Sequence, residues 1–171
     1  MKVILYTALT PNGLMAKSDG STDWLSKEDL AHFNAICQKT RAVIFGRKSW
    51  DEMNPDWLPF KEGEGMYTVL TRNKSLVSQN PKTIFSSSSP KEIINRVEKA
   101  GYAEVIVAGG GEIYSLFLGS GLVDEIYIDM EPYLFGKGIR FQEAEFELDL
   151  ELLDVSKLNS QTLQLHYRVK K

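Results

Sequence analysis

Residues 105–114 read VIVAGGGEIY. Four apolar, strand-prone residues run straight into three glycines, and a helix-like apolar spacing continues through GEIYSLFLGSG to Gly119 or Gly121. A strand that passes directly into a helix is the repeating unit of a parallel sheet flanked by helices. The glycines themselves allow two readings: a tight turn, or room for a ligand against the backbone. They do not spell the dinucleotide fingerprint. Gly109 and Gly111 fill the first two places of G-x-G-x-x-G, but Tyr114 stands at the third.

The same alternation extends to both sides. Short apolar runs at 3–10, 41–46, 66–71, 83–85, 104–109 and 123–130 predict strands. Their near-continuous apolar character predicts central, parallel strands buried on both faces. In 162–169, Leu163, Leu165, Tyr167 and Val169 alternate with polar residues, which predicts a half-exposed antiparallel edge or hairpin strand. A helix is expected over 26–40, with Leu30, Phe33, Ile36 and Cys37 at helical spacing. Ser49 and Glu52 have the spacing of a capping box, so a short helix is expected to open at Ser49. In 89–101, Ser89 caps, Pro90 takes the first helical position, Glu92 completes the box and Gly101 stops the helix. The expectation is an α/β fold forming a single domain over 1–171, with no internal repeat or linker.

Composition narrows the function classes. A formal net charge of −3 argues against a nucleic-acid binder, which normally carries a basic face. Cys37 is the one cysteine, so no intrachain disulfide forms, as suits a reducing compartment. No stretch approaches the roughly 18 apolar residues of a membrane span. MKVILYTALTPNG lacks the long apolar segment and cleavage site of a signal peptide. A cytoplasmic protein with neither nucleic acid nor membrane as partner is expected.

Ligands of parallel sheets bind at the carboxyl ends of strands. At VIFGRKSW (43–50), Gly46 permits a sharp turn, Arg47 and Lys48 bring positive charge, and a helix starts. Unpaired N–H groups at a helix start attract phosphate; the alternative is a capped helix with two solvated cations. VLTR (69–72) ends a strand with a hydroxyl and an arginine. Arg47 and Arg72 together would grip an extra phosphate such as a 2′-phosphate, unless they are unrelated surface arginines. With VIVAGGGEIY, these ends suggest a ligand with two phosphate positions.

Asp29 lies four residues before Phe33, on the same helix face. One reading is a buried acid beside an aromatic wall, its pKa raised by burial. The other is an acid in the first turn of a helix capped by Ser26. His32 and His166 read as satisfied surface residues, Cys37 as core, and Trp24, Trp50 and Trp57 as core or pocket wall. No spacing points to a metal.

Taken together, these segments resemble the dihydrofolate reductase superfamily over roughly 3–141, and among its members the riboflavin-pathway reductase domain and its stand-alone bacterial relatives. DWLSKEDLAHF (23–33) is similar to the family's substrate helix. VIFGRKSW and VIVAGGGEIY are similar to its cofactor segments, and VLTR to the segment beside the 2′-phosphate of NADPH. EPYLFGKGIRF (131–141) resembles the P-x-L-x-G-x-G-x-x-F run of the riboflavin-pathway reductases, and TPNGLMAKSDGSTDWL (10–25) the stand-alone relatives, with Asn12 where an aspartate usually stands. The resemblance implies an eight-stranded, mostly parallel central sheet with flanking helices and an antiparallel C-terminal strand. It implies NADPH as hydride donor, contacted by Ala8, Arg47, Lys48, Ser49, Thr71, Arg72, Gly109, Gly110, Gly111, Glu112, Ile113 and Tyr114. It places Asp29 as the catalytic acid and Phe33 and Met53 at the ring of a small heterocyclic substrate. It also implies a cis Gly109–Gly110 peptide and favours a homodimer.

Two departures bear on substrate. Folate reductases carry an arginine just before the strand at 66, where Gly65 of EGEGM (62–66) aligns. The family's threonine partner of the acid is replaced by Asp129 of IYIDM, and two neighbouring carboxyls compete for one proton. The expected activity is 5-amino-6-(5-phosphoribosylamino)uracil reduction. Dihydrofolate reduction is the runner-up, and a nucleotide-binding relative without turnover is the alternative from another class.

Overall fold

A computed structural model describes residues 1–53, 58–61, 63–141 and 144–171. In chain order its elements are β1 (Lys2–Leu9), β2 (Leu14–Lys17), α1 (Lys27–Thr40), β3 (Ala42–Gly46), α2 (Arg47–Glu52), β4 (Met66–Leu70) and β5 (Thr83–Ser86). They continue with α3 (Pro90–Lys99), β6 (Glu104–Val107), α4 (Gly111–Gly119), β7 (Glu125–Met130), β8 (Gly138–Arg140), β9 (Leu150–Lys157) and β10 (Leu163–Val169). Eight strands form one sheet in the order β5-β4-β3-β6-β1-β7-β10-β9, and β2 pairs with β8 separately. Strands β5 to β7 of that order run parallel. Strand β10 runs against both β7 and β9. The expected sheet, with its antiparallel C-terminal strand, is present.

The apolar runs do what their continuity predicts: every residue of β3 and β4 is buried. One face packs Tyr6, Phe45, Tyr67 and Ile106 against Phe33, Ile36 and Cys37 of α1 and Trp50 of α2. The other packs Leu5, Ile44 and Val107 against Ile93 and Val97 of α3 and Phe117 of α4. Phe45 and Phe117 are almost fully enclosed; burial of each contributes about 1.5–3 kcal/mol. The capping box of α3 forms as read, with Ser89 Oγ accepting from the Glu92 N–H and Pro90 in the first turn. Trp57 and Glu62 lie outside the described residues. No described helix is long and apolar enough to cross a membrane.

Several local expectations are corrected. Helix α2 opens at Arg47 with Gly46 as its N-cap, and no side chain caps it. Gly46 is pressed against the next crossover, where an added Cβ would meet Ile113 Cγ1 at 2.9 Å. The strand therefore ends there, and Ser49 falls inside the helix. The buried residues of α1 are Asp29, Cys37 and Thr40, whereas Leu30 is 39% exposed. Asp29, not Leu30, faces the sheet because it meets Tyr6. Among the described residues no peptide is cis, so the Gly109–Gly110 bond is trans. Positive φ values of 137° and 76° at these glycines reverse the chain instead. Strand β9 is not among the expected strands; its ladder pairs His166 with Asp154 but Tyr167 with Leu152. Leu153 is the extra residue of a bulge that inverts the alternation.

Candidate functional site

Two neighbouring strand ends form a groove. The crossover after β3 leads outward to β4, and that after β6 leads back across β1 to β7. Such a reversal opens a crevice at the carboxyl ends of the strands. Helices α2 and α4 begin on its two sides, capped by Gly46 and Gly110 with no side-chain cap on either. Gly109 faces Ser49, whose Oγ would lie 3.0 Å from an added Cβ. Glycine at 109 therefore provides both the φ and the space. Arg72, at the end of β4, reaches Glu112 of α4 at 3.9 Å. Arg47 is held by both carboxylate oxygens of Asp51 at 2.6 Å, with its guanidinium 5.8 Å from the Phe85 ring centre. Lys48 pairs with Glu52 at 3.9 Å. The Thr71 N–H donates to the Ser86 carbonyl, and its hydroxyl accepts from Asn73.

Across β1, the second part of the site is a buried acid cluster. Ala8 of β1, Asp129 of β7 and Gln164 of β10 share one row of the sheet, above the row Tyr6, Tyr127 and His166. Helix α1 delivers Asp29 and His32 to this face. Tyr6 Oη donates to Asp129 Oδ2 at 2.5 Å and lies 3.5 Å from Asp29 Oδ1. Gln164 Nε2 donates to Asp129 Oδ1 at 2.7 Å and sits 2.8 Å from His32 Nδ1. Glu131 accepts from Ser26 N–H, Ser26 Oγ and Thr162 Oγ1. Asp29, Asp129 and Glu131 are all buried, and no ion pair to them occurs among the described residues.

Buried carboxyls without cations must hold protons or hydrogen bonds. Burial pushes Asp29 up to about 8, reinforced by its hydrogen bond to Asp129 and the charges of Asp129 and Glu131, with Tyr6 pulling the other way. Burial, then the charges of Asp29 and Asp129, push the Tyr6 phenol far above its usual range. Tyr6 is therefore a permanent donor. The groove and the cluster are tied together by Tyr114 of α4, whose hydroxyl donates to the Tyr6 carbonyl at 2.7 Å.

Asp29, Asp129 and Phe33 come together around Tyr6; the Phe33 ring centre lies 5.2 Å from that of Tyr6. Met53 is half-buried against the hydrophobic core on this face of the sheet, which includes Tyr6 and Phe45. Arg72 and Glu112 converge, as do Ser49 and Gly109. Arg47 and Arg72 each hold a separate acid. Ile113 and Tyr114 turn their side chains into the core, and both backbone N–H groups donate to the Gly110 carbonyl. Sequence reasoning passed over Tyr6, Gln164 and Glu131 and treated His32 as surface. A polar residue inside an apolar strand was the available signal for Tyr6. For Gln164 it was the face of its strand opposite the leucines.

A sheet of this order, with a groove at the β3/β6 reversal and an acid at the start of α1, defines the dihydrofolate reductase-like class. Residues 1–164 match the RibD C-terminal domain, and the chain belongs to that family, one of the riboflavin-pathway reductase type. It is 28% identical over 170 residues to YwjB of Bacillus subtilis (strain 168), covering 97% of both chains. It is 25% identical over 150 residues to the riboflavin biosynthesis protein RibD of Corynebacterium ammoniagenes, covering 80% of this chain and 44% of that one. Among solved structures, a putative riboflavin biosynthesis protein from Shewanella sp. PV-4 superposes with a TM-score of 0.83 at 23% identity, over 100% of each chain. The Thermotoga maritima diaminohydroxyphosphoribosylaminopyrimidine deaminase/5-amino-6-(5-phosphoribosylamino)uracil reductase gives 0.80 at 18% identity, over 99% of this chain and 56% of that one.

Proposed function

We propose that this chain is an NADPH-dependent reductase of a pyrimidine- or pterin-like compound, nearest in kind to the aminouracil reductase of riboflavin synthesis. One observation carries the reading: a buried acid, Asp29, raised to about 8, lies against Tyr6 and Phe33 and is linked through Tyr114 to a glycine groove.

The groove's chemistry fits a dinucleotide. Gly109 and Gly110 keep the backbone open, and the uncapped start of α4 offers N–H groups to a phosphate. Arg47, Lys48 and Arg72 are the cations at the same edge, and Arg72 would meet a 2′-phosphate. When bound, the nicotinamide supplies the hydride. The chain's own residues position and protonate. Asp29, holding its proton at neutral pH, donates to the ring nitrogen of a C=N bond or to the nitrogen of an opened-sugar imine. Phe33 and Met53 give the ring an apolar wall.

Gly65 favours a substrate other than folate. A Cβ there would come within 2.5 Å of both the Arg41 carbonyl oxygen and the Phe60 ring. An arginine for the folate glutamate therefore has no room at this position. The deciding experiment follows NADPH oxidation with dihydrofolate, a biopterin-like compound and the aminouracil intermediate. Turnover is expected with the aminouracil. Tight NADPH binding without absorbance loss on all three would leave a nucleotide-binding protein without turnover, and preference for dihydrofolate would reverse the substrate assignment.

A further inference from the structure

We infer that Gln164 is a positioning residue of this site: it holds Asp129 as the ionised member of the Asp29–Asp129 pair and so keeps the shared proton on Asp29. The inference deepens the reductase reading and rests on it for its catalytic consequence.

The two carboxyls are neighbours on different elements, and one proton between them is the economical state. Their surroundings are unequal. Tyr6 has a single hydroxyl proton, and the distances of 2.5 Å to Asp129 and 3.5 Å to Asp29 say where it goes. Asp129 then receives a second donor on its other oxygen, from Gln164 Nε2 at 2.7 Å. Both oxygens of Asp129 thus accept, an arrangement that favours the ionised form. Asp29 lacks an equivalent pair of donors among the described residues. Its backbone N–H is directed to Ser26 Oγ, and its side chain has the longer contact to Tyr6.

His32 fixes the orientation of the amide. The nitrogen that donates to Asp129 also lies 2.8 Å from His32 Nδ1. The amide has one hydrogen for Asp129 Oδ1 and one for His32 Nδ1. Rotating the amide would set its oxygen against the Asp129 carboxylate and forfeit both bonds. Gln164 is 4% exposed, so water does not readily take its place. The other titratable groups around the pair are Cys37 of α1, Tyr114 of α4, and Tyr127 and Glu131 at β7 and its end. None of these is a cation that would stabilise charge on Asp29.

The test reads the proton directly. Protein carrying aspartate labelled with 13C at the side-chain carboxyl is titrated by NMR, with Asp29→Asn and Asp129→Asn used to assign the two signals. Near neutral pH the wild-type Asp29 carbon is expected at the protonated position and the Asp129 carbon at the ionised one. In Gln164→Met, the Asp129 carbon should move toward the protonated position near neutral pH, and the Asp29 carbon toward the ionised one. Where turnover is measurable, the upper limb of its pH profile should move down with Asp29. Carboxyl titrations unchanged in Gln164→Met, even with a lowered melting temperature, would reduce Gln164 to a structural residue and overturn the inference. The wild-type spectrum decides independently of how the variant folds, because an ionised Asp29 beside a protonated Asp129 overturns it as well. These signals need no substrate. A predicted titration in a protein that never oxidises NADPH would sink the reductase reading and leave the proton assignment in place.

Discussion

The two sides of β1 treat charge in opposite ways. Toward β3 and β6, the cations lie open to solvent: the Arg72 side chain is 96% exposed and holds Glu112 at 3.9 Å. Toward β7 and β10, Asp29, Asp129 and Glu131 are buried at 5%, 0% and 3% exposure. An exposed ion pair contributes about 0–1 kcal/mol, so Arg72 and its neighbours can exchange partners for an incoming anion at small cost. A buried carboxyl has no such freedom; its protonation is set by a handful of fixed donors. On the proposed function, one side accepts the cofactor and the other holds a proton. Changes on the two sides should therefore register in different measurements.

Asp29→Asn strikes the acid side hardest. The amide preserves size and removes the titrating proton, so turnover with the best substrate should fall by about 10²–10⁴. NADPH affinity, measured by fluorescence titration, should stay the same. Undiminished turnover would mean that the cluster has no part in the chemistry.

Gly109→Ala tests the groove. A φ of 137° and a Cβ 3.0 Å from Ser49 Oγ make any side chain costly, by about 1–3 kcal/mol. Thermal melts should fall by about 2–4 °C for each kcal/mol, and NADPH binding should weaken. An unchanged melting temperature would show that the turn does not require glycine.

Stability against pH sharpens the contrast further. Folding raises Asp29 from 3.8 to about 8, so the folded state holds this proton more tightly than the unfolded state. The stability contributed is complete below 3.8 and is lost as pH rises through about 8. Asp29→Asn cannot lose it. The variant's melting temperature should therefore gain on the wild type's across that window. Two curves that run parallel would contradict the raised value.

The smallest structural effect is expected from Arg72→Ala. Its exposed pair predicts a stability change within about 0.5 kcal/mol. The preference for NADPH over NADH should nevertheless fall about tenfold, the loss expected for one charged hydrogen bond. An unaltered preference in steady-state assays would remove Arg72 from the cofactor site.

Much of the sheet was legible because β3, β4 and β6 are continuous apolar runs bounded by turn residues, and such runs have few other folds open to them. The irregular parts were not. Leu153 breaks the alternation of β9, and no local pattern announces a bulge. Ser49 and Glu52 have cap-forming chemistry, but contact between Gly46 and Ile113 decided where α2 begins. That contact depends on α4, far along the chain. The same limit applies to the site. Asp29 stood out by its spacing to Phe33, and Asp129 by the family resemblance. Tyr6 looked like one more core aromatic, and Gln164 lay on the face that the leucine alternation assigned to solvent. Only the pairing of β7 with both β1 and β10 brings residues 6, 129 and 164 into contact.

Strand β10 also places the acid cluster in time. On the ribosome, residues 6, 29, 129 and 131 all emerge before Thr162 and Gln164. The parallel strands through β7 can assemble while Glu131 still lacks Thr162 and Asp129 still lacks Gln164. A nascent chain at that stage presents hydrated carboxyls at an unfinished sheet edge, the kind of edge that chaperones cover. Docking of the antiparallel strand closes the edge and dries the acids in one event. A chain cut before residue 162 should therefore lack the Thr162 and Gln164 hydrogen bonds to Glu131 and Asp129 and leave the β7 edge of the parallel sheet open.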